Sequence, residues 1–323
     1  MRKSDISVVI PVYNEEESLR GLFDRLFPVL EGLERSYEVI FINDGSRDSS
    51  LPLLLGELKH RPGVMRVIDF NGNFGQHMAI MAGFEASSGW VVVTLDADLQ
   101  NPPEEIPRIV RCVDDGHDVV STVRQKRRDS FFRIGTSWLA NKLTNKISGL
   151  SLSDYGCMLR GYRRDIVDII NESAETTTFI PALAQRFATN PIEINVSHSE
   201  REQGKSKYGI FKLIRLNFDL MTSFSLVPLQ IVTMTGILIS VFSFLFAAYM
   251  FIRRWVIGPE AEGVFTLLAI MFLLMGVTIS CIGIEGEYVG RIYQEVRKRP
   301  RYVIRKVYEP DEGDSAEGDG GGR

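Results

Sequence analysis

Two carboxylates one residue apart, Asp96 and Asp98, follow the apolar run 91–95 and precede Gln100-Asn101-Pro102-Pro103-Glu104-Glu105. At the end of a strand such a pair can approach one divalent cation directly or through water. Mg2+ is a hard ion that takes oxygen ligands, keeps part of its water and bridges substrate phosphates, so the pattern points to a metal–diphosphate site. An Asp-x-Asp by itself is common on surface loops. The five-residue apolar run before it is the context that gives it weight.

Other reactive groups fall at the ends of apolar runs too. The first run leads into Pro11-Val12-Tyr13-Asn14-Glu15-Glu16-Glu17. Asn14 and Glu17 have the spacing of a capping box opening a helix, which leaves the Pro-Val-Tyr corner unexplained. The second run ends in Asn43-Asp44-Gly45-Ser46. This is either a plain turn or a carboxylate placed to accept the N–H of a nucleobase. His77, in Gly72-Asn73-Phe74-Gly75-Gln76-His77, stays open between a functional group and a helix-start residue packed on a sheet.

These groups need a frame. Ile6–Pro11, Glu38–Ile42, Val64–Phe70, Val91–Leu95 and Val119–Val123 read as buried strands rich in Val and Ile. Helical stretches are expected near 16–33, 48–60, 76–87 and 103–115. Strand–helix alternation predicts an α/β domain, a mostly parallel sheet with helices on both faces. Ligands of such sheets bind outside the carboxyl ends of the strands, where every motif above falls.

The last third differs. Residues 220–252 and 263–284 carry no charged side chain over 33 and 22 residues. A membrane span needs about 20 residues, and Pro228 marks the start or a kink of the first. The connecting loop 253–262 has two Arg and two Glu, whereas 285–307 carries seven Lys/Arg against three Glu. The positive-inside bias then puts both termini on the cytoplasmic side. The expected order is a catalytic domain over 1–206, an amphipathic juxtamembrane helix over 207–222, and spans over 223–252 and 263–284. A basic juxtamembrane segment over 285–308 follows, with Arg291–Lys306 lying at the interface, and then a disordered acidic tail over 309–323.

Net charge is −4, so nothing global favours nucleic acid. Cys112, Cys157 and Cys281 are far apart, with no Cys-x-x-Cys, so neither a disulfide framework nor a zinc site is expected and a reducing compartment fits. No apolar leader precedes the first strand, so the catalytic bulk is expected in the cytoplasm. A diphosphate site joined to two spans suggests moving a group from a soluble nucleotide to a lipid.

Val9-Ile10-Pro11-Val12-Tyr13-Asn14-Glu15, the Asp44-Gly45-Ser46 turn and Asp96-Ala97-Asp98 resemble a family 2 glycosyltransferase of GT-A (Rossmann-like) fold. Further stretches resemble the polyprenyl-phosphate branch of that family: Gly75 through Phe84, Leu95 through Pro107, Thr122-Val123-Arg124-Gln125, Asp154 through Arg160, Glu200-Arg201 with Gly204 through Tyr208, and Glu285 through Tyr293. The likeness runs over about residues 5–308. One departure is Asn43, where the family usually has Asp.

The resemblance implies inverting transfer of 4-deoxy-4-formamido-L-arabinose from UDP to undecaprenyl phosphate at the bacterial inner membrane, supplying lipid A modification and polymyxin resistance. It implies nucleotide contacts from Pro11, Tyr13, Glu15, Asp44, Asp96 and Ala97. It assigns Mg2+ or Mn2+ to Asp96, Asp98 and Gln100, phosphate contacts to Arg124, Arg201 and Lys207, and catalytic roles to Asp96, Asp98, Asp154, Arg201 and Lys207. Asp154 is read as a base or an organiser, and Ser199–Tyr208 as a lid or a solvated loop. Related enzymes suggest a homo-oligomer. Three alternatives compete. A UDP-glucose or GDP-mannose polyprenyl-phosphate transferase would differ in donor. A scaffold without catalysis would have lost the acidic or cationic groups. A processive polysaccharide synthase would need more spans.

Overall fold

The computed structural model describes residues 4–124, 157–173, 179–196, 227–258, 264–296 and 300–309. The chain divides into two compact units. One runs to Lys207 apart from 140–149 and resumes at Pro300; the other takes in 140–149 and 208–299.

In the first unit eight strands form one sheet: β1 (Ile6–Val12), β2 (Tyr37–Asn43), β3 (Met65–Phe70), β4 (Val91–Thr94), β5 (Val119–Arg124), β6 (Arg160–Arg163), β7 (Ile192–Val196) and β8 (Ile304–Tyr308). Their order is β7-β5-β6-β4-β1-β2-β3-β8. β1 runs parallel to β2 and β4, β2 to β3, and β5 to β7. β6 is antiparallel between β4 and β5, and β8 is antiparallel on β3. The mostly parallel sheet expected from the sequence is therefore present, with antiparallel additions at β6 and β8.

The helices of this unit are α1 (Leu19–Glu31), α2 (Ser50–His60), α3 (Gln76–Ala86), α4 (Ile106–Asp114, entered through a 3-10 turn at Pro103–Glu105), α5 (Arg164–Glu172) and α6 (Ile180–Phe187). They cover both faces. Ile6, Val8, Ile10 and Val12 pack with the buried sides of α1, α2 and α4, whereas Val9, Ile40, Ile42 and Phe70 pack with α3, α5 and α6. A strand buried on both faces cannot alternate apolar with polar, which is why β1 and β2 read as continuous apolar runs. Gly83 allows α3 to lie against β1, since a Cβ there would meet Val9 Cγ1 at 2.2 Å.

The chain builds β1, β2 and β3 outward, then returns to place β4 on the other side of β1. The connections thus diverge between β1 and β4, and such a switch point opens a crevice beyond the strand ends. Register brings Val12 level with Asn43, and Asn43 level with Asp69.

The second unit contains α7 (Val227–Ile257) and α8 (Val264–Val296), of 31 and 33 residues. Among the described residues no helix is long and apolar enough to cross a membrane, so the two expected spans are not shown. α8 continues past the expected end at 284. Within 291–306, where an interfacial helix is expected, the residues up to Val296 belong to α8 and β8 begins at Ile304. Glu309, expected in the disordered tail, pairs with Arg66 at 2.7 Å. The expected amphipathic helix over 207–222 lies outside the described residues.

Candidate active site

At the end of β1, Pro11 still pairs across to Ile42, and Tyr13 is exposed at 45%. Asn14 then turns the chain with φ 54°. The capping box expected of Asn14 and Glu17 does not form. α1 begins later, after Ser18, and no side chain caps it. Asn14 instead uses its Oδ1 to accept the Arg47 N–H at 2.8 Å, and its own N–H donates to Ser46 Oγ at 3.1 Å. Glu15 N–H donates to Ser50 Oγ at 2.9 Å, and the Glu16 carboxylate accepts Ser49 N–H at 2.8 Å. The Pro-Val-Tyr corner is therefore clamped to the turn after β2. A local cap was the wrong reading because these polar groups found partners more than thirty residues away.

That turn carries Asp44, which is 2% exposed. Its two carboxylate oxygens accept the N–H groups of Phe74 and Gly75, at 2.7 and 2.9 Å. Burial pushes the Asp44 carboxyl up from its ordinary range, and these two N–H donors oppose the shift by favouring the charged form. Gly45 follows at φ +67°, where a Cβ would sit 2.5 Å from the Gly72 carbonyl carbon. Only glycine fits there. Asp44 thus gathers the β2 turn and the loop entering α3.

Across β1, the carboxylates of Asp96 and Asp98 leave the end of β4, both half-buried. Gln76, the first residue of α3, donates its side-chain amide to Asp96 Oδ1 at 2.5 Å. Asp98 Oδ1 accepts the Gln100 N–H at 3.1 Å, closing a turn in which Leu99 has φ 59°. Ala97 between them is buried. Among the described residues no group of three His, Cys, Asp or Glu side chains gathers into a metal cage. Two carboxylates suit an ion that takes its remaining oxygens from a diphosphate and water, so these residues fit Mg2+ or Mn2+.

Sequence reasoning quoted Arg160 only within a motif and left His77 open. Arg160 is 1% exposed on β6; its guanidinium donates to the Cys157 carbonyl at 2.8 Å and to Ser121 Oγ at 2.7 Å. The Cys157 thiol reaches Asn101 Oδ1 at 3.4 Å, joining the loop after β4 to the entry into β6. His77 packs edge-on against Phe179, ring centroids 5.1 Å apart, and its buried Nδ1 has no hydrogen-bond partner among the described residues. Desolvation, with the Arg160 charge adding to it, holds His77 down at about 4. A cationic strand residue such as Arg160 leaves no periodic signal, and apart from Arg160 and Cys157, three residues apart, none of these pairs is local in sequence. Arg124 ends β5. Asp154, Arg201 and Lys207 lie outside the described residues.

Strand-end carboxylates at the switch point of a doubly covered sheet are the layout of an α/β ligand site. The "Glycosyl transferase family 2" profile matches residues 7–170, and the chain belongs to that family. It is a glycosyltransferase of GT-A-like fold. Among curated proteins it is similar to the undecaprenyl-phosphate 4-deoxy-4-formamido-L-arabinose transferase of Edwardsiella ictaluri, 48% identical over 314 residues that cover 95% of this chain and 96% of that one. The protein of the same name from Proteus mirabilis is 49% identical over 304 residues, covering 94% and 93%. Among solved structures, a mycobacterial protein matches with TM-score 0.50 at 18% identity, covering 68% of this chain and 73% of that one, which speaks to the fold alone.

Proposed function

We propose that this protein transfers 4-deoxy-4-formamido-L-arabinose from UDP to undecaprenyl phosphate, with inversion, at the cytoplasmic face of the bacterial inner membrane. The observation that carries the reading is its likeness, at 48% identity over nearly the full length of both chains, to proteins named for that transfer. Supporting it within the fold, Asp44 and Tyr13 stand on one side of the β1/β4 crevice and the Asp96/Asp98 pair on the other.

In this reading an acceptor phosphate oxygen attacks the anomeric carbon from the face opposite UDP. The bond from that carbon to the β-phosphate oxygen breaks, and its electron pair leaves with UDP. Asp96, Asp98 and Gln100 would hold a divalent cation, which supplies Lewis-acid stabilisation of the charge building on the leaving diphosphate. Two anions must still approach each other. At 4 Å and an effective dielectric near 20 their repulsion is roughly 4 kcal/mol per unit-charge pair. Arg124, Arg201 and Lys207 are the proposed shields, the arginines gripping phosphate oxygens in pairs. The second proton of a phosphate monoester leaves near a pKa of about 6, so the acceptor is already mostly a dianion at neutral pH. Asp154 is accordingly proposed as an organiser of the site.

The hairpin of α7 and α8 is proposed to cross the membrane, leaving both termini cytoplasmic. Its support is the sequence of both helices, uncharged over 220–252 and 263–284, and the large apolar side chains they expose, among them Leu238, Phe242, Phe244, Leu267 and Ile279.

Purified protein given the UDP-linked formamido sugar, a divalent cation and undecaprenyl phosphate should yield a lipid-linked sugar of inverted anomeric configuration, read by mass spectrometry and NMR. UDP release without any lipid adduct would overturn the reading.

A further inference from the structure

The strand that follows the second long helix does more than close the sheet edge. β8 pairs Tyr308, Val307 and Lys306 with Val67, Ile68 and Asp69; the register then slips, and Phe70 pairs with Ile304. Arg305 is the extra residue of this bulge. Bulges re-aim a side chain, and here the guanidinium of Arg305 lies 3.5 Å from Asp69 Oδ2 and 3.4 Å from the Asn71 carbonyl. The strand is fastened nearby, with Tyr302 stacked on Phe70 at 4.9 Å and its hydroxyl donating to Glu85 at 2.5 Å.

Asp69 is 1% exposed, at the end of β3. A buried carboxylate needs charged or hydrogen-bonding partners. Its other oxygen accepts Asn43 Nδ2 at 2.7 Å. A carboxylate that only accepts fixes the orientation of the amide, so Asn43 must turn its Oδ1 the other way. That oxygen accepts the Ser46 N–H at 3.3 Å, across the Asp44-Gly45 turn, and Ser46 Oγ accepts the Asn14 N–H beside Tyr13. A continuous polar path thus runs from Arg305 through Asp69 and Asn43 into the turn that carries Asp44.

We propose that Arg305 is a positioning residue for the donor nucleotide: through Asp69 and Asn43 it sets the turn bearing Asp44. This rests on the reading of the β1–β2 corner as the UDP site. The chain beyond the second long helix is therefore part of the donor site's scaffold.

The test uses the full-length purified enzyme. UDP affinity is measured by calorimetry, and steady-state constants are measured for donor and acceptor separately. Arg305 is 59% exposed at its side chain, so Arg305→Gln should leave the fold and thermal midpoint intact. Arg305→Gln is expected to raise the UDP Kd and the donor KM by about fivefold or more, with kcat and acceptor KM within about twofold. Arg305→Lys, which keeps the charge facing Asp69, should recover most of the loss. Lys306→Gln, which removes the same unit of charge one residue away, should leave the donor KM unchanged. A donor KM unmoved in Arg305→Gln, or one raised equally in Lys306→Gln, overturns the proposal. Failure of the wild-type protein to bind UDP at all would overturn the nucleotide-site reading, and the proposal with it.

Discussion

The side-chain amide of Gln76 meets the carboxylate of Asp96 across 2.5 Å, joining the first residue of α3 to the end of β4. Gln76 holds Asp96 before any substrate arrives. That donor fixes the direction of one carboxylate oxygen, and removing it loosens the orientation a cation requires. Gln76→Leu should raise the Mg2+ or Mn2+ concentration for half-maximal rate and lower turnover by about tenfold, a modest loss for a group that orients a ligand. A metal titration of initial rates checks it; an unchanged half-saturation point would detach Gln76 from the metal site.

Asp98 is the sharper case because it is proposed to touch the ion. Asp98→Asn should cut turnover by about 10²-fold or more, the scale for losing one preorganised charge-stabilising group. Circular dichroism and thermal midpoint should stay at wild-type values, since among the described residues the Asp98 side chain bonds only its own turn. Near-full activity with the metal still required would refute the assignment.

His77 makes acid stability a local readout. Its folded pKa is held at about 4, below the ordinary 6.5 of the unfolded chain. The stability it contributes is therefore present above pH 6.5 and is lost as pH falls toward 4. The slope is about 1.4 kcal/mol per pH unit inside that window. Replacing it, as His77→Gln, should flatten the dependence of unfolding free energy on pH between 6.5 and 4.5 by that amount. Equal slopes in the two proteins would mean that His77 is hydrated and titrates freely.

Membrane topology can be read chemically. Gly258 has φ +96°, a conformation a cysteine would strain, so the reporter belongs at Ala261 in the same loop. An impermeant thiol reagent added outside intact cells should label Ala261→Cys and spare Ser315→Cys. The reverse pattern would invert the orientation.

The parallel half of the fold was legible because doubly buried strands must be apolar. Ile6–Val12, Tyr37–Asn43 and Met65–Phe70 lie within a residue or two of their expected bounds. β6 escaped notice because Arg-Gly-Tyr-Arg is not an apolar run, and its arginine is buried through contacts with Ser121 and Cys157. β8, Ile304–Tyr308, lies in a basic stretch whose charge suggested a membrane surface, while its partner β3 is over two hundred residues earlier. At the site, Asp44, Asp96 and Asp98 stood out from strand-end position. Asn43 was visible only as a departure from the family pattern, and Gln76 and Asp69 were given no role, because what makes them matter is contact between separate elements rather than spacing along the chain.

The central claim is tested most directly by donor choice. Purified protein with undecaprenyl phosphate is offered UDP-4-deoxy-4-formamido-L-arabinose, UDP-glucose and GDP-mannose in separate reactions, and lipid-linked product is quantified. The formamido sugar should be transferred and the other two should give at most about a hundredth of its rate, the discrimination available when buried polar groups are left unpaired by the wrong sugar. Comparable product from UDP-glucose or GDP-mannose, or none from the formamido sugar, would contradict the account.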